Sequence, residues 1–197
     1  FALAFTGAFT VVRGMVAHHA RRLPAGKGPV LFGLLGGTAL AVMGNLEGFL
    51  EVIHSRGLLP ASFWRWLDIK DLLEAPQPGP WMPERYLWWW RASRVINDRS
   101  PLGEPMEVID EFPFFSFLLG DMHPHVLALP FVVLAVAVCV EWALRLRHRP
   151  SPAQHGPFLA AAAIALGALG FLNTWDWPIY LALFTAATWI GLAGTER

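Results

Sequence analysis

The sequence contains little cysteine and little charge. Cys139 is the single cysteine among 197 residues and lies in an apolar run, so the chain offers neither a disulfide nor a thiolate metal cluster. Only 15% of the residues are charged, and the formal net charge is zero. This balance argues against cysteine redox chemistry and gives no indication of a nucleic-acid-binding surface.

Apolar side chains are abundant instead. They make up 55% of the chain, which includes fourteen Phe and ten Trp. This composition is too apolar for an ordinary soluble domain and predicts a membrane protein. The chain opens at Phe1 inside an apolar run, without an initiator Met or a basic n-region, so we expect residues 1–197 to be one fragment of a larger polytopic membrane domain.

The apolar runs predict an all-α integral membrane protein with about five transmembrane helices. A helix needs about 20 residues to cross about 30 Å of hydrocarbon, and each run approaches that length except the truncated first and the short fourth. The predicted spans are about residues 1–16, 30–53, 126–146, 158–172 and 179–193.

Basic residues give the predicted orientation, since cytoplasmic connections carry an excess of Lys and Arg. The connections after the first and third spans contain basic side chains and no acid: Arg13, Arg21, Arg22, Lys27, Arg145, Arg147 and Arg149. A long loop, residues 55–123, then lies on the extracytoplasmic side. We expect interfacial helices in it at 61–74 and from Pro83 to Ile96, and we read Trp89 and its neighbours either as membrane anchors or as a sugar-stacking platform.

Titratable residues cluster at the outer end of the second span. Glu47, Glu51 and His54 are spaced i, i+4 and i+7, which places them on one helix face. Glu51 and His54 suit a solvated helix end equally well, whereas Glu47 lies a turn deeper and is a candidate pocket residue. On the second interfacial helix, Arg91 and Arg94 are positioned either to hold a phosphate as a pair or to bind lipid headgroups.

A second cluster precedes the third span. Glu111, Asp121, His123 and His125 fall within fifteen residues, beside a run that must lie in hydrocarbon. Asp121 could simply cap the third span, which leaves the histidines unexplained. His123, His125 and Asp121 form an O/N ligand set suited to Mn, Mg or Zn, and the alternatives are acid/base chemistry or phosphate binding.

The turn at residues 173–178 carries Asn173 and Asp176 between tryptophans. Because the preceding span is short, we expect these polar groups to lie near the membrane interface and to need protein partners. The Glu47 face and the Asp121 cluster are the predicted neighbours. The alternative is a tight aromatic turn that only reverses the chain.

Three motifs carry a resemblance to a known family. WWWRASR at 88–94, EFPFFSFLLGDMHPH at 111–125 and NTWDWP at 173–178 resemble the DUF2298 (YYY) family of uncharacterised polytopic membrane proteins. That family is similar to the GT-C class of membrane glycosyltransferases, which implies a polyprenyl-phosphate sugar donor and acidic catalytic residues in outer loops. The chain contains no Asp-x-Asp motif.

Our first hypothesis is therefore a glycosyltransferase acting at the extracytoplasmic face of the cell membrane. Asp121 or Glu111 would act as the base or bind a divalent metal, because transfer needs a group that takes the acceptor proton. The remaining candidates would bind substrate: Arg91, Arg94, Glu47, Asn173, Asp176 and Trp89. The alternatives are an ion-coupled transporter or a non-catalytic membrane assembly protein; polar groups concentrated at one face favour the enzyme.

Overall fold

The structure is a computed structural model that describes residues 1–19, 26–74, 79, 88–147 and 152–194. Within these ranges, the side chains of residues 88, 89 and 152–154 are not described. The chain divides into two compact units, one made of residues 1–41 and 121–197 and the other of residues 42–120. We call them the helical unit and the loop unit. The helical unit contains α1 (Ala2–His19), α2 (Gly28–Ala41), α7 (Pro124–Arg147), α8 (Pro152–Leu172) and α9 (Asp176–Ala193). The loop unit contains α3 (Glu47–Ser55), α4 (Ala61–Leu67), α5 (Trp88–Arg91), β1 (Asn97–Arg99), β2 (Pro105–Glu107) and α6 (Pro113–Leu119).

Within the helical unit, α1 and α2 approach closely because one face of α2 lacks side chains. A Cβ added at Gly33 or Gly37 would lie 2.8 Å from Phe9 or 2.9 Å from Phe5 of α1, respectively. Small residues let helix backbones come together in apolar surroundings, where the hydrophobic effect does not drive association. Gly33 and Gly37 therefore act as the small residues at which α1 and α2 pack.

Helices α7, α8 and α9 pack around an aromatic stack. The Trp142 ring lies nearly parallel to Phe158 at 5.6 Å and to Phe184 at 5.8 Å. Its indole Nε1 donates a hydrogen bond to Thr188 Oγ1 at 2.9 Å, which satisfies the one polar atom of the buried ring.

Two helices in the described part of the chain are long and apolar enough to cross a membrane by length and composition: Pro124–Arg147 and His155–Leu172. Gly28–Ala41 is apolar but shorter. Large apolar side chains on these helices are exposed, among them Ile164 and Phe171, as expected of surfaces that face lipid. These features fit an all-α membrane protein, while the count of five spans stays a prediction.

The prediction of one continuous helix over residues 30–53 is wrong. Helix α2 ends at Ala41, and α3 begins separately at Glu47 in the loop unit. Gly44 adopts a φ of +63°, and an added Cβ there would lie 2.7 Å from the Phe112 ring. A left-handed glycine against an aromatic ring interrupts the helix, so we assign Glu47 and Glu51 to the loop rather than to a span.

The predicted interfacial helices are shorter than expected. Helix α4 ends at Leu67 rather than at 74, because Asp68 turns left-handed (φ +52°) and Lys70 then donates its backbone N–H to the Val95 carbonyl. Helix α5 ends at Arg91 rather than at Ile96, and most of the predicted segment before it lies outside the described residues. The hairpin of β1 and β2, with Asn97 opposite Glu107, follows α5 and was not predicted.

Phe112 is extended before Pro113, as predicted. The short helix α6 then begins at Pro113 and was not anticipated. It ends at Gly120, which has a φ of +67° and donates its N–H to carbonyls of the preceding turn. The loop unit thus holds its own small core, which includes Trp64, Leu72 and Phe115.

Candidate functional site

Glu47 and Glu51 form a buried carboxyl pair on α3. Their spacing of four residues brings the side chains together on one helix face, and only 4% and 3% of the two residues are exposed. The two carboxyls share a hydrogen bond. Two buried carboxyls in contact cannot both ionise at little cost, so at least one of them must retain a proton.

Arg91 of α5 supplies the positive charge beside this pair. Its Nη1 lies 3.8 Å from Glu51 Oε1 and 3.1 Å from Asp71 Oδ2. About a third of the Arg91 side chain is exposed, whereas Glu51 is enclosed. The guanidinium therefore joins the buried carboxyl pair to the protein surface.

Asn45 fixes α3 to the segment that follows α5. Its Oδ1 accepts the Glu47 backbone N–H at 3.2 Å, and its Nδ2 donates to the Ala92 carbonyl at 2.5 Å. Asn45 stands just outside the first turn of α3, so its oxygen satisfies an N–H group that has no partner within the helix. The same amide thereby sets the distance between the carboxyl pair and Arg91.

The environment of the pair changes its acidity. Burial, the neighbouring charge of Glu51 and the hydrogen bond with Glu51 raise the pKa of Glu47 to about 8, against a smaller opposing effect of Arg91. Burial also raises the pKa of Glu51, although the hydrogen bond with Glu47 and the charge of Arg91 oppose it. Glu47 Oε2 has no hydrogen-bond partner among the described residues. At neutral pH Glu47 therefore holds a proton, and Glu51 binds a proton more tightly than an exposed glutamate does.

His54, the third member of the predicted face, turns elsewhere. Its ring packs edge-on against Trp64 at 4.8 Å, and its Nε2 lies 3.1 Å from the Glu74 carbonyl. These contacts suit a structural role in the loop unit.

Arg91 and Arg94 bind different carboxylates. Arg94 Nε lies 3.2 Å from Glu107 Oε1, and its guanidinium stacks 3.7 Å from the Trp90 ring centroid. A shared phosphate site at the two arginines stays a prediction, and the Trp89 side chain lies outside the described residues. Glu111 is half-buried just before α6, and its catalytic role also remains untested.

In the helical unit, Asp121, His123 and His125 lie together at the start of α7. Asp121 Oδ2 is 2.7 Å from His123 Nδ1, and the two imidazole rings stack with centroids 5.8 Å apart. At the start of α7, the His123 carbonyl accepts hydrogen bonds from the backbone N–H groups of Val126 and Leu127. A carboxylate and two imidazoles are ligand types that Mn and Zn accept. Asp121 and His123 bring ligand atoms together, whereas His125 joins no converging ligand group among the described residues, so metal binding by all three stays a prediction.

Asn173 and Asp176 lie together at the start of α9. Asn173 Nδ2 donates to Asp176 Oδ2 at 3.1 Å, and the Asp176 backbone N–H donates to the Asn173 carbonyl at 3.0 Å. Asp176 stands in the first turn of α9, where a carboxylate is favoured by the helix dipole. This pairing accounts for the turn as a chain reversal, and a binding role for either residue stays a prediction.

Comparison with known proteins places the chain in a family. A family model described as "Uncharacterized membrane protein (DUF2298)" matches residues 1–197. The chain belongs to the DUF2298 family. No curated protein and no solved structure matches it. Membership in DUF2298 agrees with the apolar helices and confirms the resemblance drawn from the three motifs.

Sequence reasoning missed two residues of this DUF2298 site. Asp71 lies within the segment predicted as one interfacial helix at 61–74, beyond the end of α4, and it reaches Arg91 from a left-handed backbone (φ +68°). Asn45 was not among the predicted site residues. An Asn two residues before a Glu is a recognisable capping signal, but no local pattern shows that its amide also contacts Ala92.

Proposed function

We propose that the chain is part of a multi-pass membrane glycosyltransferase that takes a sugar from a polyprenyl-phosphate donor. In this proposal α1, α2, α7, α8 and α9 cross the cell membrane, and the loop of residues 55–123 is extracytoplasmic. The observation that carries the proposal is the buried Glu47–Glu51 pair beside Arg91. Membrane lipid and the lipid-linked sugar are the proposed partners.

The pair matches the needs of an inverting transfer. The acceptor hydroxyl oxygen bonds to the anomeric carbon, the bond from that carbon to the phosphate oxygen breaks, and the phosphate leaves with the electron pair. The Glu51 carboxylate takes the acceptor proton, for which a raised pKa makes it a better base. Glu47, which is already protonated, prevents a second buried charge from forming.

Arg91 suits the other half of the reaction. Negative charge grows on the departing phosphate, and a fixed guanidinium can stabilise it. The partly exposed side chain is held by a hydrogen bond to Asp71 and an ion pair with Glu51, and a guanidinium has further N–H groups for a phosphate. The base in this proposal is Glu51 rather than Asp121 or Glu111, whose roles remain predictions. A divalent ion, where bound, would be held by Asp121, His123 and His125.

The test is transfer from labelled polyprenyl-phosphate sugars by the full-length protein. We expect Glu51→Gln to lower kcat by about 10²- to 10⁴-fold, the usual contribution of a general base. The matched control is Glu104→Gln, which removes an exposed carboxyl of the same unit and should leave kcat unchanged. Full activity in a folded Glu51→Gln variant would reject the assignment. Proton-driven uptake into liposomes that Glu47→Gln abolishes would favour the transporter alternative.

A further inference from the structure

The hairpin of the loop unit borders a second polar cavity. Its volume is about 620 Å³, within the range of about 300–1,000 Å³ typical of small-molecule sites. The cavity lies between the turn after α4 and the two strands, and neither Glu47, Glu51 nor Arg91 lines it. Side chains other than Glu47, Glu51 and Arg91 would therefore hold a ligand in this cavity.

Three polar side chains of the hairpin share one face. Asn97 lies directly opposite Glu107 in the antiparallel register, and Arg99 follows two residues later on the same side of β1. An amide, a carboxylate and a guanidinium therefore face the same way. They offer both hydrogen-bond donors and acceptors.

Contacts with neighbouring residues hold these groups in place. Asn97 Nδ2 donates to the Asp68 carbonyl at 2.9 Å and to Asp68 Oδ1 at 3.0 Å, while Arg99 Nη1 donates to the Gly103 carbonyl at 3.0 Å. Lys70 Nζ lies 4.0 Å from Glu107 Oε1. Polar groups that are already oriented lose less side-chain entropy when a ligand binds.

Charge and apolar surface indicate the class of ligand. Two cations, Lys70 and Arg99, alternate with three lining carboxylates, so the wall favours neither a polyanion nor a polycation. Leu73, which is 37% exposed, and Pro105, which lies opposite Arg99 on the same face of the hairpin, also line the cavity. A hydroxyl both donates and accepts a hydrogen bond, and a sugar ring also has apolar C–H faces.

We infer that this cavity binds a neutral sugar through Asn97, Glu107 and Arg99, with its C–H face against Leu73 and Pro105. The inference goes beyond the proposed function, because none of the residues of the proposed base site lines this cavity. Binding is an equilibrium property that does not require Glu51 as a base. The two proposals can therefore fail separately.

The test is ligand-observed NMR on the full chain with methyl glycosides of glucose, mannose, galactose and N-acetylglucosamine. A detergent without a sugar head group is needed, because a maltoside would compete for the cavity. We expect saturable binding of at least one glycoside, and a dissociation constant roughly tenfold higher in Asn97→Ala, as expected for loss of one good hydrogen bond.

Control variants keep the result interpretable. Glu107→Gln preserves the shape of the side chain and should weaken binding even if Asn97→Ala disturbs the hairpin. Glu104→Gln, which lies in the same hairpin but outside the cavity lining, should bind as the wild type does. Glu51→Gln should also bind normally, since it removes only the base.

Three outcomes would overturn the inference: no glycoside binds saturably, binding is unchanged in both cavity variants, or phosphoethanolamine binds more tightly than every glycoside. The last would indicate a zwitterionic headgroup site. Sugar binding without any transfer would leave the cavity assignment in place and reject only the proposed reaction. Transfer without sugar binding at the cavity would do the reverse.

Discussion

Replacing Glu47 with Gln removes its ability to ionise and leaves the size of the side chain nearly unchanged. Gln has nearly the same size and stays neutral at every pH, so it imitates protonated Glu47. Below pH 4.5, where Glu47 is protonated in both the folded and unfolded chain, we expect Glu47→Gln to be about as stable as the wild type. The difference between them should appear as the pH rises.

The sign follows from the raised pKa. The folded state keeps the Glu47 proton up to a pKa of about 8, while the unfolded chain releases it near 4.5. Stability that is fully present below pH 4.5 is therefore lost as the pH rises toward 8. At about 1.4 kcal/mol per pH unit, the loss has an upper bound of roughly 5 kcal/mol. The Gln variant has no such loss.

The assay is thermal unfolding of the full chain in detergent between pH 5 and pH 9, followed by tryptophan fluorescence. Between pH 5 and pH 9 the loss is at most about 4 kcal/mol. Each 1 kcal/mol corresponds to about 2–4 °C in Tm for a chain of this size, so the Tm of the wild type should fall by at most roughly 8–16 °C relative to that of Glu47→Gln. Glu104→Gln corrects for a change in exposed charge. Parallel pH profiles of the wild type and Glu47→Gln would refute the reasoning.

Two further predictions concern neighbouring contacts. Arg91→Ala should raise the pKa of Glu47 further, since the charge of Arg91 lowers it; infrared titration measures this pKa, and an unchanged value would contradict the prediction. The same variant should destabilise the loop unit by about 1–2 kcal/mol after allowance for solvent screening, as measured by denaturant unfolding. Gly36→Ala should destabilise the α1–α2 packing by about 1–3 kcal/mol, because the added Cβ would lie 2.6 Å from Val12. Gly14→Ala is the matched control, since a Cβ added there has no neighbour within 4 Å. Equal Tm values for these two glycine variants would show that close packing at Gly36 is unimportant.

The long apolar helices could be predicted from sequence because their signal is local. Continuous apolar runs of sufficient length specify α7 and most of α8 without knowledge of any neighbour. The close contact between α1 and α2 has a local signal of the same kind, because Gly33 and Gly37 leave room on one face of α2.

The loop could not be predicted to the same degree. Left-handed Gly44 interrupts the predicted second span, and α4 ends where Asp68 turns left-handed. Asp68 is supported by a hydrogen bond from Asn97, 29 residues away. Such partners are distant in sequence and leave no periodic pattern. The hairpin was missed for a similar reason, since its strands are three residues long and fully exposed.

The candidate site was predicted in part. The spacing of Glu47 and Glu51 indicated a shared helix face, which the structure confirms. Their burial and the approach of Arg91 depend on the fold of the loop unit, so sequence reasoning underrated Glu51. The clustering of Asp121 with His123 follows from proximity in the chain and was predicted directly.

The central claim is that the Glu47–Glu51 pair shares one proton at neutral pH. Infrared spectroscopy of the full chain with ¹³C-labelled glutamate resolves the carbonyl band of a protonated carboxyl and follows it with pH. We predict such a band at pH 7 in the wild type, which loses intensity as the pH rises through about 8 and is weaker in Glu47→Gln. A wild-type chain in which every glutamate is ionised at pH 7, or a band that persists unchanged in Glu47→Gln, would contradict the account.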